Sequence, residues 1–77
     1  MNKQQRKKLS DVLDEIEGYV STLETEANEE QEKYDNMPEG LQDSERGQAI
    51  QEAADNLQQA ADDLQNWIDE TRGNFEL

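Results

Sequence analysis

Apolar residues in the first half of the chain recur every three or four positions, which is the period of one face of an α-helix. Val12 and Tyr19 widen this face, and Glu30 interrupts it. The pattern predicts a helix over about residues 3–34, with an apolar stripe wide enough for a helix bundle. The stripe contains Leu9, Leu13, Ile16, Val20, Leu23, Ala27 and Tyr34.

Gly18 lies inside this predicted helix. Glycine in a helix interior costs about 1 kcal/mol relative to alanine. Two interpretations follow: Gly18 is a tolerated weak point, or it allows the backbone of a neighbouring helix to approach closely.

The apolar pattern breaks over about residues 35–43, which predicts a loop. Met37 precedes Pro38 and is therefore pushed towards extended geometry, while Gly40 permits a positive φ. A second helix is predicted over about residues 44–73. Its N-cap is expected at Ser44, with Asp43 as the alternative.

The second helix carries a heptad repeat in which apolar residues come in adjacent pairs. This double stripe is wide enough to contact two neighbouring helices, and its alanines allow a close approach. The pairs are Ala53-Ala54, Ala60-Ala61 and Trp67-Ile68, and the stripe also contains Ile50, Leu57 and Leu64.

The sequence therefore predicts an all-α fold, an antiparallel helix-loop-helix hairpin that forms one domain over residues 1–77. Folding about the loop sets large residues of one helix opposite small residues of the other. The same fold is expected to set a basic group beside an acidic one, namely Lys3, Arg6, Lys7 and Lys8 beside Asp69, Glu70 and Glu76.

A single partner helix would leave much of the double stripe on the second helix exposed to water. Two hairpins packed together would form a four-helix bundle, which covers a wide stripe on both helices. A homodimer is the first expectation and a heteromeric partner the second. The candidate oligomer core comprises Leu13, Ile16, Val20, Leu23, Ile50, Leu57, Ala61, Leu64, Trp67 and Ile68.

Composition strengthens the case for association. A chain of 77 residues rarely gains more than roughly 3–5 kcal/mol from its own core. The absence of cysteine and histidine removes disulfides and the common zinc-ligand sets. Hydrophobic residues make up 31% and charged residues 35%, so a disordered monomer that folds on binding is the alternative.

The formal charge of −13 is unevenly distributed. Four of the seven basic residues lie within the first eight positions, and every acidic residue lies from Asp11 onward. A body this anionic repels nucleic acid and anionic membranes and attracts basic proteins. No apolar segment of signal-peptide or membrane length is present, so a cytoplasmic location is expected.

No catalytic, cofactor-binding or metal site is predicted, and an enzyme is only a remote alternative. Catalytic triads that use histidine or cysteine are excluded, the three serines have no partner base, and the four glycines are scattered. Glu30, at a core-type position, is interpreted as part of a solvated last turn rather than as a metal ligand.

Acidic residues that share heptad positions are expected to form ridges along the helices. One interpretation is a solubilising outer face. The other is a ridge that imitates nucleic-acid phosphates and binds a basic protein, although a heptad spans about 10 Å and phosphates are roughly 7 Å apart. The ridge residues are Glu17, Glu24, Glu45, Glu52, Asp55, Asp62 and Asp69.

The four aromatic residues divide by position along the predicted helices. Trp67 and Tyr19 occupy stripe positions and are expected to pack in the core. Phe75 lies near a fraying end and is the best candidate for an exposed contact.

The segment DNMPEGLQDSERG over residues 35–47, followed by the AADNL-type heptads, resembles short acidic helical-hairpin proteins of bacteriophages and prophages. The resemblance covers the loop and the second helix, about half of the chain. It implies no enzyme activity and assigns no residues.

The resemblance further implies an accessory protein that acts in the bacterial host cell and blocks a host defence or nucleic-acid-binding protein by contact. The alternative is a structural or assembly protein that acts through coiled-coil packing. Binding that survives high salt would favour the alternative, because salt screens acidic ridges.

Overall fold

The computed structural model describes residues 1–77 and contains three helices and no strand. Helix α1 runs from Lys3 to Asp35, the short helix α2 from Glu39 to Gln42, and helix α3 from Glu45 to Asn74. The two long helices pack against each other along a body of 59 × 16 × 12 Å. The prediction of an all-helical hairpin is confirmed.

Side-chain caps determine where α1 begins. Asn2 and Gln5 form a capping box, in which the Gln5 backbone N–H donates to the Asn2 side chain at 2.8 Å and the Asn2 N–H donates to the Gln5 side chain at 2.9 Å. These bonds satisfy two backbone donors that the first turn otherwise leaves unpaired. At the other end α1 finishes at Asp35, and Asn36 is its C-cap, two residues before Pro38.

The predicted loop contains the four-residue helix α2, which the sequence pattern did not indicate. Gln42 connects this helix to the end of α1, because its side-chain amide donates to the carbonyl oxygens of Tyr34 at 3.1 Å and Met37 at 3.3 Å. Ser44 is the N-cap of α3 and accepts from the Gly47 N–H at 3.1 Å, which confirms the predicted cap.

The core is a single narrow seam between α1 and α3. Its buried residues recur at seven-residue intervals on each helix, and large residues pack with small ones: Leu13, Val20, Ala61 and Ile68 form one cluster. Leu9, Ile16, Leu23 and Leu64 pack against this cluster and remain half-buried. Only seven residues are buried, namely Leu13, Val20, Ala27, Gly47, Ala54, Ala61 and Ile68.

Two aromatic residues that were expected to pack in a core lie outside the seam of the single hairpin. Tyr19 is 61% exposed and Trp67 is 49% exposed, so the two helices of one chain do not provide the expected core packing. Each directly precedes a buried residue, Val20 or Ile68, and one residue turns the helix by about 100°. A single partner helix is too narrow to cover both positions. Phe75 is 42% exposed, in agreement with the prediction.

The expected pairing between the two ends of the chain is also absent. No ion pair joins the basic residues of the first turns of α1 to the acidic residues at the end of α3. Lys7 instead binds Asp11 within α1, at 3.1 Å. Both residues are exposed, so little energy favours a cross-helix geometry over this local one.

Of the two interpretations of Gly18, the tolerated weak point agrees with the structure, and a close backbone approach occurs instead at Gly47. Gly18 faces open space, and a Cβ atom there would contact nothing within 4 Å. A Cβ atom at Gly47 would lie 2.6 Å from the Leu41 carbonyl oxygen and would also collide with that of Gln42. Gly47 is therefore the position where α2 crosses the start of α3.

Replacing these two glycines with alanine should change stability in opposite directions. Gly18→Ala should stabilise the chain by about 1 kcal/mol, because alanine loses less backbone entropy in a helix. Gly47→Ala should destabilise it by about 1–3 kcal/mol, because backbone must move to admit the methyl group. Urea unfolding measures both, and equal effects of the two changes would contradict the assigned crossing.

Candidate functional site

One flank of the hairpin is joined by polar side chains from both helices. Gln31 and Gln51 bond reciprocally across the helices, with amide nitrogen to oxygen distances of 3.3 and 2.9 Å. Nearer the open end, the Gln65 amide donates to Glu17 at 2.9 Å. These residues follow buried positions by four, which places them beside the seam on both helices. We call this side the polar flank.

Arg72 completes the polar flank at the open end. Its guanidinium donates to Glu17 at 2.8 and 3.2 Å and to Asp14 at 2.8 Å, so one cation joins two carboxylates of α1 to the last turns of α3. Hydrogen bonds from Arg72, and then from Gln65, lower the pKa of Glu17 below its ordinary value. The Glu17 and Asp14 bonds raise the pKa of Arg72.

The acidic ridge of α3 is organised by glutamines of the same helix. Each of its three aspartates accepts a hydrogen bond from the glutamine four residues earlier: Gln51 to Asp55 at 3.0 Å, Gln58 to Asp62 at 3.1 Å, and Gln65 to Asp69 at 3.0 Å. We call this set the glutamine–aspartate ladder. Because Gln51 and Gln65 also bond across the seam, the ladder lies along the polar flank.

The remaining ridge residues divide into exposed and engaged groups. Glu24, Glu45 and Glu52 are exposed and form no ion pair, whereas Glu17 is half-buried and is held by Arg72. Glu17 therefore has a cross-helix structural role, and its carboxylate is not free as the ridge prediction assumed. The structure brings Glu17 and the ladder to one flank.

Sequence reasoning missed the residues that organise this flank. The predicted site residues include neither the ladder glutamines nor Arg72. A signal was present, because glutamine followed four residues later by aspartate is a stabilising helical pair, and here it repeats with heptad spacing at 51/55, 58/62 and 65/69. Nothing in the spacing along α1 indicated that Arg72 would bridge two of its carboxylates.

Glu30, the acidic residue at a core-type position, forms an ion pair within α1. Its carboxylate lies 2.6 Å from the Lys33 ammonium, and this hydrogen bond raises the pKa of Lys33. No group of three potential metal ligands gathers anywhere in the structure. The interpretation of Glu30 as part of a solvated last turn is modified: the residue is half-buried and paired.

The opposite side of the hairpin is largely apolar and exposed. Residues that directly precede a core position of the heptad lie on this side, away from the polar flank, and they are apolar except at the loop end, where Glu26 and Arg46 take this position. Val12 is 45% exposed, in addition to the exposed Tyr19 and Trp67. Ala60 is exposed and Ala53 half-buried. We call this surface, made of Val12, Tyr19, Ala53, Ala60 and Trp67, the apolar flank.

Comparison with known proteins adds no relative. No family model matches the chain, and neither the curated proteins nor the solved structures contain a match. None of the three helices is long and apolar enough to cross a membrane.

Replacing Arg72 should make the stability of the hairpin less dependent on pH near the carboxylate range. The lowered pKa of Glu17 means that its ion pair stabilises the fold above pH 4.5 and loses that effect as the pH falls through the folded-state pKa. Arg72→Gln should therefore melt at a lower temperature than the wild type at pH 7. The difference should shrink as the pH falls below 4.5.

Lys7→Gln is the matched control for Arg72→Gln, because it removes the same charge and one ion pair that lies within a single helix. Thermal melts followed by circular dichroism at several pH values compare the three chains. A constant difference between wild type and Arg72→Gln down to pH 2, or an equal effect of Lys7→Gln, would contradict the role assigned to Arg72.

Proposed function

We propose that this chain is a non-enzymatic, acidic protein-interaction module that binds a basic protein through the glutamine–aspartate ladder. The observation that carries the proposal is the ladder itself. Asp55, Asp62 and Asp69 are exposed and share one line along α3, and a glutamine hydrogen bond holds each carboxylate. Carboxylates held in this way lose less side-chain entropy when a cationic partner binds.

The charge of the chain supports the same proposal. The first eight residues carry a formal charge of +4 and the rest of the chain carries −17, and Glu45 and Glu52 add exposed carboxylates on α3. Long-range attraction to a cationic surface accelerates association and disfavours acidic partners. Nucleic acid and anionic membranes are not expected as direct partners, because their phosphates carry the same sign.

Within this proposal, the specific role is inhibition of a bacterial host protein by a phage-encoded chain. The support is the resemblance of residues 35–47 and the following heptads to short acidic phage proteins. A basic nucleic-acid-binding or defence protein is the target class, because its cationic groove complements an anionic rod. The chain would act in the cytoplasm of the host cell.

A second candidate function is a structural or assembly role through coiled-coil packing. The exposed apolar flank favours it, because a wide uncovered stripe on a helix pair suits contact with further helices. In either role, we propose that two hairpins associate as a homodimer into a four-helix bundle.

A pull-down from nuclease-treated bacterial lysate tests the ladder. The wild-type chain should retain basic nucleic-acid-binding or defence proteins at low salt and release them at high salt. The triple change Asp55→Asn, Asp62→Asn and Asp69→Asn should weaken binding of the purified partner by roughly tenfold, if each lost contact contributes about 0.5 kcal/mol.

The matched control neutralises three exposed carboxylates off the ladder, Glu15, Glu26 and Glu70, as glutamines. Both triple variants carry the same net charge. If the control weakens binding as much as the ladder variant, binding depends on total charge alone and the ladder has no special role. Retention that survives high salt in all three chains would favour the structural role instead.

A further inference from the structure

We propose that a second copy of this chain covers the apolar flank, packed antiparallel so that the loop end of each hairpin lies beside the open end of the other. This inference rests on the proposed self-association and specifies its face and direction. The polar flank is excluded as the interface because the exposed ladder carboxylates of two copies would repel each other there.

The surface area of the hairpin indicates how much remains to be covered. The chain exposes 5753 Å². A compact monomer of its mass exposes about 4,800 Å² by the usual scaling. The excess of roughly 900 Å² is close to the roughly 800 Å² that each partner contributes to a standard stable interface. One further contact of ordinary size would therefore bring the chain to the expected compactness.

The chemistry of the apolar flank is suited to a packed interface between helices. Trp67 and Tyr19 are large aromatic anchors, the residue types that contribute most where they become buried. Ala60 and Ala53 provide small positions at heptad intervals from Trp67 on α3. An antiparallel pair of α3 helices centred near Ala60 would set Trp67 of one copy opposite Ala53 of the other, so that a large residue packs on a small one in both halves.

The uneven charge along the hairpin selects the direction. The loop half, residues 21–60, contains eleven acidic and two basic residues and carries a formal charge of −9, whereas the remaining residues carry −4. A parallel pair would set the two −9 halves side by side. An antiparallel pair sets each −9 half beside a −4 half, whose first turns contain Lys3, Arg6, Lys7 and Lys8, and so lowers the repulsion.

This arrangement leaves the ladder accessible. Because the apolar flank and the polar flank lie on opposite sides of the seam, a dimer formed through the first presents two ladders to solvent. Self-association and binding of a basic protein would then use separate surfaces, and each can be disrupted without the other.

Mass measurement with one charged substitution tests the face. The wild-type chain should have twice its 8.9 kDa mass in light scattering from low to high micromolar concentration. Ala60→Glu, at an exposed position, should raise the dimer dissociation constant at least roughly 100-fold, because a carboxylate would be buried in the interface. Asn56→Glu introduces the same charge at an exposed position off the apolar flank and, like Ala60→Glu, adds one acidic pair at a spacing of three or four residues, so it should remain dimeric.

The direction is read from one spin label, which the absence of native cysteine makes simple. A nitroxide on Asn36→Cys marks the loop end. The Gln31–Gln51 pair sets Asn36 level with Arg46, fourteen residues from Ala60, so an antiparallel dimer centred near Ala60 should give a label-to-label distance of about 45 Å. A parallel dimer would give one within about 25 Å.

The outcomes separate the inference from the proposals beneath it. A monomeric wild type, whether helical or unfolded, overturns self-association and this inference together. A dimer that withstands Ala60→Glu overturns the assigned face, and a short nitroxide distance overturns the direction. None of these results affects the ladder, which is tested on its own variants.

Discussion

Leu13→Ala should leave the chain largely unfolded at room temperature. Leu13 has no exposed surface and packs with Val20, Ala61 and Ile68 in the one cluster that joins the two helices. Truncating a buried leucine to alanine costs about 2–5 kcal/mol, and more where the surroundings cannot collapse into the cavity. A core of this size supplies roughly 3–5 kcal/mol in total. Most of the helical circular dichroism signal should be lost.

Leu77→Ala is the matched control for Leu13→Ala, because it removes the same atoms from an exposed residue at the end of the chain. It should melt within a few degrees of the wild type. Urea titrations of both variants give the free energy of unfolding. A Leu13→Ala chain that retains its helical signal and its melting temperature would show that the cluster contributes little, and that the helices depend on other contacts.

The part of the fold that depends on periodicity could be predicted from the sequence. The 3–4 spacing of the stripe on α1 and the heptads of α3 indicated two helices and a seam. The predicted range 3–34 compares with Lys3–Asp35 in the structure, and 44–73 with Glu45–Asn74. Ser44 was identifiable as a cap because its hydroxyl precedes a helical pattern.

Periodicity could not show which part of the stripe the hairpin itself would bury. A double stripe indicates that one partner helix leaves part of it exposed, but not which member of each adjacent pair faces that helix, so the exposed positions of Tyr19 and Trp67 were not identified. The close backbone contact at Gly47 was not predicted for a related reason. Its role depends on where the Leu41 and Gln42 carbonyls lie, and those positions follow from the path of α2, a helix too short to leave a periodic signal.

The candidate site was predictable only as a charge pattern. Heptad spacing placed Asp55, Asp62 and Asp69 on one line, and the structure keeps them there. The axial register of α1 against α3 decides which carboxylates form bonds across the seam. Local sequence does not determine that register. Arg72 therefore reaches Glu17 and removes it from the free ridge.

Raising the NaCl concentration from a few millimolar to about 0.5 M should raise the melting temperature of the wild-type chain by roughly 5–10 °C. Helix α1 contains two acidic pairs at i,i+4 spacing and five at i,i+3 spacing. Each such pair destabilises a helix by about 0.2–0.5 kcal/mol, and salt screens them. A gain of about 1–2 kcal/mol is a shift of this size in a domain this small. The same salt should weaken binding of a basic partner, so folding and partner binding should respond in opposite directions.

Two single substitutions locate the repulsion that salt removes. Glu26 has acidic neighbours at both +3 and +4, Glu29 and Glu30, whereas Glu24 has none at three or four positions in either direction. Both are exposed, so Glu26→Gln and Glu24→Gln change the net charge equally with little effect on packing. Glu26→Gln should raise the melting temperature at low salt and reduce the further gain from salt, while Glu24→Gln should do much less of either. Equal effects would mean that the melting temperature depends on the total charge of the chain. Repulsion between neighbouring carboxylates along α1 would then not limit stability.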